Sequence, residues 1–143
     1  MSKEFKVLFL TNNDNTKSLS DWISERCNLI LWQEKLIVED LEEIRPNLIV
    51  SFNYRHIITQ DVIDFMNERI LNLHMSYLPW NRGSSPNFWS HVEGTKKGVT
   101  IHLVSAGLDK GDICLFFDPP EFVHLAIFPF ARVVVGRIPT AFC

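Results

Sequence analysis

Short apolar runs separated by helical segments constrain the fold of this 143-residue chain more than any other feature. The runs are Phe5–Leu10, Leu29–Trp32, Leu48–Phe52, Ile70–Leu73 and Val99–Val104, and the helical segments are Ser18–Cys27, Glu39–Ile44, one that begins at Asp61, and Pro86–Val92. Asp61 is predicted as the cap of the third helix. Strand–helix alternation of this kind predicts an α/β fold with a mostly parallel sheet and flanking helices.

The composition indicates one globular domain with a single core. Hydrophobic residues make up 46% of the chain and charged residues 22%, so a second domain is not expected. The formal net charge of −3 provides no basic field for holding nucleic acid, so a nucleic-acid partner is not expected either. Cys27, Cys114 and Cys143 are odd in number and widely spaced, which favours a reducing, cytoplasmic setting over a disulfide framework.

Neither end of the chain predicts a membrane segment. The first ten residues carry Glu4 among lysines and only a short apolar run, which indicates a first strand and not a signal peptide. The stretch Phe122–Val135 is strongly apolar, but Pro129 and Arg132 interrupt it and it is too short to cross a bilayer. A buried pair of terminal strands and an aggregation-prone tail both stay open for this stretch.

Asn72-Leu73-His74 and the later Leu108-Asp109 supply the side chains of an acyl-transfer site. An imidazole can take a proton, an amide can donate a hydrogen bond to a developing oxyanion, and a carboxylate can orient the imidazole. Because residues 72 and 74 are two apart on a strand, both point to the same side. Ligands of parallel sheets bind beyond the carboxyl ends of the strands, where Asn72 and His74 lie, and Asp109 is predicted to follow another such end.

Each of these residues also has an ordinary structural interpretation. His74 could be a half-buried histidine, Asn72 could satisfy loop backbone, and Asp109 between two glycines could be a turn residue. Their shared position at strand ends favours the functional interpretation. No metal site is predicted, because His74, His56 and His102 have no second ligand at a metal-like spacing.

Two loops add candidate contacts to a ligand. Met75–Trp89 is rich in aromatic side chains that can stack on a base, and its Arg82 can pair with a phosphate; packing as core or lid is the alternative for the aromatic residues. Ser51–Ile58 follows another strand and can line a slot for a planar ligand, with a plain strand-to-helix connection as the alternative.

Several of these segments together resemble the folate-dependent formyltransferase family. The resemblance rests on Asn72–Asn87, Gly98–His102 and Gly107–Ile113, and it extends over residues 5 to 113. The family includes methionyl-tRNA formyltransferase, glycinamide ribonucleotide transformylase and the sugar-nucleotide N-formyltransferases of bacterial surface polysaccharide (O-antigen) pathways. Ser51–Ile58 and Tyr77–Trp89 are most similar to the sugar-nucleotide branch. The resemblance implies the family's Rossmann-like catalytic domain.

The resemblance implies that a formyl group moves from N10-formyltetrahydrofolate to the amine of an amino-deoxy sugar carried on a nucleotide, such as a dTDP-amino sugar. The matching positions assign Asn72 to the formyl oxygen, His74 to proton transfer from the attacking amine, and Asp109 to the support of His74. The chemistry of the residues agrees, because a neutral imidazole backed by a carboxylate can accept a proton near neutral pH.

The resemblance also implies which residues contact the cofactor and the substrate. In the family, the pterin lies between the loop after the Ser51–Phe52 strand and the loop before Asp109. Cofactor neighbours are therefore expected at Tyr54, His56, Ile57, Val104 and Leu108. Contacts to the nucleotide-sugar substrate are expected from Tyr77, Trp80, Arg82 and Asn87.

Beyond residue 119 the sequence departs from the family's pattern, which continues with a long amphipathic helix. We expect a formyltransferase-like catalytic domain over residues 1–119 and a divergent tail over residues 120–143, in a chain that is truncated or frame-shifted. Two other functions stay open: formylation of methionyl-tRNA, against which the absent basic field counts, and an inactive remnant that binds folate or a nucleotide. A homodimer stays open as well, although dimerisation in the family often involves downstream elements that this sequence does not match.

Overall fold

The computed structural model describes residues 5–83, 85–96, 98–107 and 110–117, which form a six-stranded sheet flanked by helices. The strands are β1 (Lys6–Leu10), β2 (Asn28–Trp32), β3 (Leu48–Phe52), β4 (Ile70–His74), β5 (Val99–Leu103) and β6 (Ile113–Phe117). The helices are α1 (Lys17–Ser24), α2 (Val38–Ile44), α3 (Gln60–Met66) and α4 (Pro86–Glu93), and a single 3-10 turn precedes α1. The predicted α/β fold with a mostly parallel sheet is confirmed.

The sheet has the strand order β2-β1-β3-β4-β5-β6. The first four strands are parallel, whereas β5 pairs antiparallel with β4, and β6 pairs antiparallel with β5. The carboxyl end of β5 therefore lies at the opposite edge of the sheet from the carboxyl end of β4. The assumption that β5 is a further parallel strand, from which the position of Asp109 was predicted, was wrong, because β5 runs in the other direction. Asp109 itself lies outside the described residues.

Both faces of the central strands are buried. One face packs Val7, Phe9, Val50 and Leu71 against α1, and the other packs Leu8, Leu10, Ile49 and Ile70 against Leu41 of α2 and Val62 and Met66 of α3. Burial on both faces explains why these strands have continuous apolar runs in the sequence and no polar–apolar alternation.

The start of helix α3 differs from the prediction, and the predicted tail is not part of the described structure. Helix α3 begins at Gln60 with Thr59 as its N-cap residue, so Asp61 lies in the first turn and is not the cap. A carboxylate in the first turn still interacts favourably with the helix dipole. The predicted tail over residues 120–143 lies outside the described residues. Within the described part of the chain, no helix is long and apolar enough to cross a membrane.

The difference in burial between an internal strand and an edge strand predicts how leucine-to-alanine changes act on stability. Leu8 on β1 is fully buried, whereas Leu31 on the edge strand β2 is 57% exposed. We expect Leu8→Ala to lower the free energy of unfolding by about 3 kcal/mol, because it leaves a cavity in the core. The matched change Leu31→Ala should cost less than about 1 kcal/mol. Urea denaturation measures both, and similar losses for the two variants would contradict this packing.

Candidate active site

Polar side chains from three neighbouring strands share one face of the sheet. Ser51 of β3 lies opposite Asn72 of β4, and Asn72 lies opposite His102 of β5. Residues that are directly opposite point to the same face, so these three form a row across the sheet. His74, two residues beyond Asn72 and opposite Thr100, continues the same face. The predicted common orientation of Asn72 and His74 is therefore present.

This polar row lines a cavity of about 1040 Å³ next to α3. Most of its other lining residues come from four segments: Asn12 and Asn13 after β1, residues 53–60 after β3, residues 104–107 with Lys110 after β5, and Gly83 with Ser85 before α4. Ile63 of α3, Leu73 of β4 and Met75 after β4 complete the lining. The segment after β5 begins at the far end of the sheet, because β5 is antiparallel. It still reaches this cavity, since its first residue, Val104, packs on the same face of the sheet as Ile70.

The structure brings some of the predicted site residues into this cavity and leaves others outside it. Asn72 and His74 line it, as do four of the five predicted cofactor neighbours: Tyr54, His56, Ile57 and Val104. Leu108 and Asp109 lie outside the described residues. The predicted substrate contacts Tyr77, Trp80 and Arg82 are not part of the lining, and the side chain of Asn87 is not described.

Two hydrogen bonds determine the orientation of the Asn72 carboxamide. His102 Nδ1 lies 2.8 Å from the carbonyl oxygen of Leu103, and His102 Nε2 lies 3.1 Å from Asn72 Nδ2. A carbonyl oxygen only accepts, so Nδ1 carries the hydrogen and donates it. In the neutral ring, Nε2 is then the acceptor, and Asn72 Nδ2 donates to it.

Close backbone packing restricts the movement of the Leu103 carbonyl. A Cβ atom on Gly111 would lie 1.5 Å from this carbonyl oxygen, so only glycine fits at this position without displacing it. The Leu103 amide donates to the Asp112 carbonyl at 2.8 Å, which ties the two ends of the segment 104–111 together. Glycine at position 111 thus leaves the Leu103 carbonyl in the position where it accepts the hydrogen bond from His102.

His74 is buried and its Nε2 lies 2.9 Å from the carbonyl oxygen of Asn81. The same reasoning gives Nε2 the hydrogen, which leaves Nδ1 as the basic nitrogen of the neutral ring. Asn81 has a positive φ of 54°, and its side chain donates to Glu93 at 2.8 Å and accepts from Thr95 at 2.6 Å. The end of α4 and the residues after it therefore hold the carbonyl that orients His74.

The loop after β4 is further anchored to β5 through Thr100. The Thr100 hydroxyl donates to the Ser76 carbonyl at 2.7 Å and accepts from the Leu78 amide at 3.1 Å. The Ser76 hydroxyl in turn donates to the Trp80 carbonyl at 2.7 Å. These bonds give the first half of the predicted aromatic loop a defined path. Trp80 itself remains 52% exposed, and Lys96 lies over the Tyr77 ring at 3.8 Å.

Asn12 holds the opposite rim of the cavity. Its amide group donates to the Gln33 carbonyl at 2.9 Å, its Oδ1 accepts from the Arg55 amide at 2.9 Å, and its backbone amide donates to the Asn53 carbonyl at 3.1 Å. One side chain thus connects the segments that follow β1, β2 and β3, which keeps the segment from Asn53 onwards beside the polar row.

Tyr54 connects this rim to the segment before α2. Its hydroxyl donates to the Glu34 carbonyl and accepts from the Leu36 amide at 3.0 Å, and its ring meets His56 edge-on with 5.3 Å between centroids. Burial raises the pKa of Tyr54, and the nearby carboxylates of Asp40 and Glu34 raise it further, against the opposing effect of the Leu36 amide. The hydroxyl therefore has a structural role.

The described residues of the cavity lining carry positive charge, whereas the formal net charge of the whole chain is negative. Among the described lining residues there is no aspartate or glutamate, whereas Arg55 and Lys110 supply two cations. A lining of this kind favours an anionic ligand in a chain whose formal net charge is −3. No group of three or more metal-ligating side chains occurs among residues 5–83, 85–96, 98–107 and 110–117.

An amide donor and a basic imidazole on one cavity floor suit acyl transfer to an amine. The sequence predicted this pair but missed His102 as part of the site. Its signal was weak: the alternation Thr100-Ile101-His102 puts two polar residues on one face of a strand, but the partner strand cannot be read from that alternation.

Comparisons with known proteins point to one family. The family model for formyl transferases matches residues 26–120. The methionyl-tRNA formyltransferase of Clostridium botulinum is 41% identical over 86 residues, which is 59% of this chain and 28% of that relative. The chain thus spans less than a third of the length of this relative.

Two solved structures have a similar fold. The formyltransferase PseJ from Anoxybacillus kamchatkensis, in complex with UDP-4,6-dideoxy-4-formamido-L-AltNAc and tetrahydrofolate, has 39% identity and a TM-score of 0.70, over 78% of this chain and 58% of PseJ. Rv3404c from Mycobacterium tuberculosis, a candidate sugar N-formyltransferase, has 30% identity and a TM-score of 0.68, over 78% of this chain and 53% of that one.

The Tyr54 hydrogen bonds predict a pH-dependent difference in stability. Tyr54→Phe removes both bonds and should lower the free energy of unfolding by about 1 kcal/mol near neutral pH. The pKa of Tyr54 is raised in the folded state, so its contribution is complete below the unfolded pKa of about 10 and is lost as pH rises above that value. Urea titrations between pH 8 and 11 should show a shrinking difference. A constant difference would contradict this role.

Proposed function

Because the chain belongs to the formyl transferase family, we propose that it transfers a formyl group from N10-formyltetrahydrofolate to the amine of a nucleotide-linked amino-deoxy sugar. The Asn72–His74 pair on the floor of one cavity carries this proposal, because it supplies an oxyanion donor and a base side by side. The ligands of PseJ, a formamido sugar nucleotide and tetrahydrofolate, support the choice of donor and acceptor.

In the proposed reaction, the sugar amine attacks the formyl carbon. A new carbon–nitrogen bond forms, the bond from the formyl carbon to N10 of the folate breaks, and the proton of the amine passes to N10. Asn72 Nδ2 donates a hydrogen bond to the formyl oxygen as negative charge develops on it, and one such donor typically lowers a barrier by about 3 kcal/mol. His74 Nδ1 relays the proton, which suits an imidazole near neutral pH. Asp109 would support His74, as the family resemblance implies.

We assign the folate to the side of the cavity that Tyr54, His56, Ile57 and Val104 line. Ile57 is 81% exposed, and an apolar side chain at a cavity edge suits contact with a flat ring. The Tyr54 hydroxyl is already bonded to the segment before α2, so we assign its ring and backbone, and not its hydroxyl, to contact with the folate. Leu108 completes this proposed set.

The nucleotide sugar would enter past Gly83 and Ser85, which end the loop that carries the predicted substrate contacts. Trp80 and Arg82 are exposed on that loop, outside the cavity lining, where a stacked base and a diphosphate can reach them. Tyr77 and Asn87 belong to the same proposed set. The two cations of the lining, Arg55 and Lys110, favour a substrate with negative charge.

A second candidate function is formylation of methionyl-tRNA, which the similarity to the Clostridium botulinum enzyme supports. The formal net charge of −3 counts against it, because binding to a polyanion depends on many phosphate contacts with basic residues.

We extend the first proposal to a cytoplasmic enzyme of surface polysaccharide synthesis that acts as a homodimer. Size-exclusion chromatography with light scattering tests whether the protein is a dimer.

A competition between acceptors separates the two functions. The 143-residue chain is incubated with N10-formyltetrahydrofolate and, in parallel, with UDP- and dTDP-linked amino sugars and with methionyl-tRNA. We expect a formamido sugar nucleotide, detected by its mass, from at least one sugar and no formylmethionine. Formylmethionyl-tRNA as the sole product would replace the first proposal by the second, and folate binding without any product would indicate an inactive remnant.

Substitutions on the cavity floor predict large losses of turnover. Asn72→Ala should lower kcat by about 10²- to 10³-fold, because the donor to the formyl oxygen is lost. His74→Ala should lower kcat by about 10²- to 10⁴-fold, because the proton relay is lost. The matched control is His91→Ala, an exposed histidine on α4 outside the cavity, which should leave kcat unchanged. Unchanged turnover in both cavity variants would exclude this site as the place of reaction.

A further inference from the structure

We propose that His102 is a positioning residue, which holds the Asn72 carboxamide with its nitrogen, and not its oxygen, ready to donate to the formyl oxygen. The inference rests on the proposed function of Asn72 and adds a residue that acts through it. His102 is 2% exposed and lies directly opposite Asn72 on the neighbouring strand. Its proposed effect on the reaction is exerted through the amide that it orients.

The direction of two hydrogen bonds carries the argument. The carbonyl oxygen of Leu103, 2.8 Å from His102 Nδ1, can only accept, so it selects the ring form with hydrogen on Nδ1. In the neutral ring, His102 Nε2, 3.1 Å from Asn72, then presents a lone pair. A lone pair attracts Nδ2 of Asn72 and repels Oδ1. The Leu103 carbonyl of β5 thus determines, through the His102 ring, that Nδ2 and not Oδ1 of Asn72 faces His102.

The surroundings prevent the ring from releasing this constraint. A buried imidazole has little access to water that could replace either partner. The Leu103 carbonyl cannot shift towards the segment after it, because Gly111 already approaches it closely. The His74 ring lies edge-on to His102 with 6.4 Å between centroids, so it occupies one side of the space around the His102 ring.

The amide orientation decides whether Asn72 can stabilise the transition state. Nδ2 has two hydrogens, so it can donate to His102 and to a ligand oxygen at the same time. A flipped amide would present Oδ1 to the formyl oxygen, and two oxygens that carry negative charge repel each other. The charge on the formyl oxygen grows as the amine attacks, so loss of the orientation should lower kcat more than it raises KM.

Kinetic variants of the 143-residue chain test this role. His102→Leu keeps a side chain of similar size without an acceptor, and should lower kcat about tenfold with little change in KM. His102→Gln places an acceptor oxygen near the position of Nε2, and should restore most of that loss. In the Asn72→Ala background, His102→Leu should lower kcat no further, because the residue through which it acts is absent. Independent, multiplicative losses, or no rescue by glutamine, would overturn the proposal.

NMR spectroscopy of the unsubstituted protein tests the hydrogen bond between His102 and Asn72 without an activity assay. In ¹⁵N-labelled protein, the ring nitrogen shifts should show hydrogen on Nδ1 of His102, and a coupling across the hydrogen bond should connect Nε2 with Asn72 Nδ2. Hydrogen on Nε2, or absence of this coupling in a folded sample, would overturn the inference. If the nitrogen signals are as expected but no acceptor is formylated, the proposed function fails and the orientation of Asn72 by His102 stands.

Discussion

A row of polar side chains across the middle of an apolar sheet is the constraint on which the rest of this structure depends. Asn72 and His102 lie on the face that packs Leu8, Ile49 and Ile70 against α2 and α3. Polar groups in such a place are costly unless they are hydrogen-bonded. Asn72 and His102 hydrogen-bond to each other, and His102 also donates to the Leu103 carbonyl, so these bonds orient both side chains. The cavity lies over this row.

The antiparallel direction of β5 gives the site its form. The chain leaves β4 at His74, passes through the anchored loop and α4, and returns along β5, so Thr100 and His102 lie beside the strand that carries Asn72 and His74. One strand thus supplies the anchor of the loop and the partner of Asn72. The parallel strands β1 and β3 contribute differently, through Asn12 and the segment from Asn53 onwards, which form the opposite rim.

The sequence allowed the α/β fold, the first five strands and the Asn72–His74 pair to be predicted, because continuous apolar runs and a spacing of two residues are local properties. It did not allow the direction of β5 to be predicted, since the alternating pattern of Val99–Leu103 fits a strand in either direction. The assumption that β5 is parallel was wrong for that reason, and the role of Asp109 stays a prediction. His102 was missed because its role depends on a cross-strand partner 30 residues away. The cap of α3 was misplaced by two residues, since both Thr59 and Asp61 are residue types that cap helices.

A crystal structure with a stable N10-formyl folate analogue tests the central claim most directly, because it shows where the formyl group lies on the cavity floor. We predict that the formyl oxygen lies about 3 Å from Asn72 Nδ2, with Nδ2 still bonded to His102 and the formyl carbon facing His74. A folate bound elsewhere, or a formyl oxygen held by other groups and out of reach of Asn72, would contradict the assignment of this cavity as the formyl-transfer site.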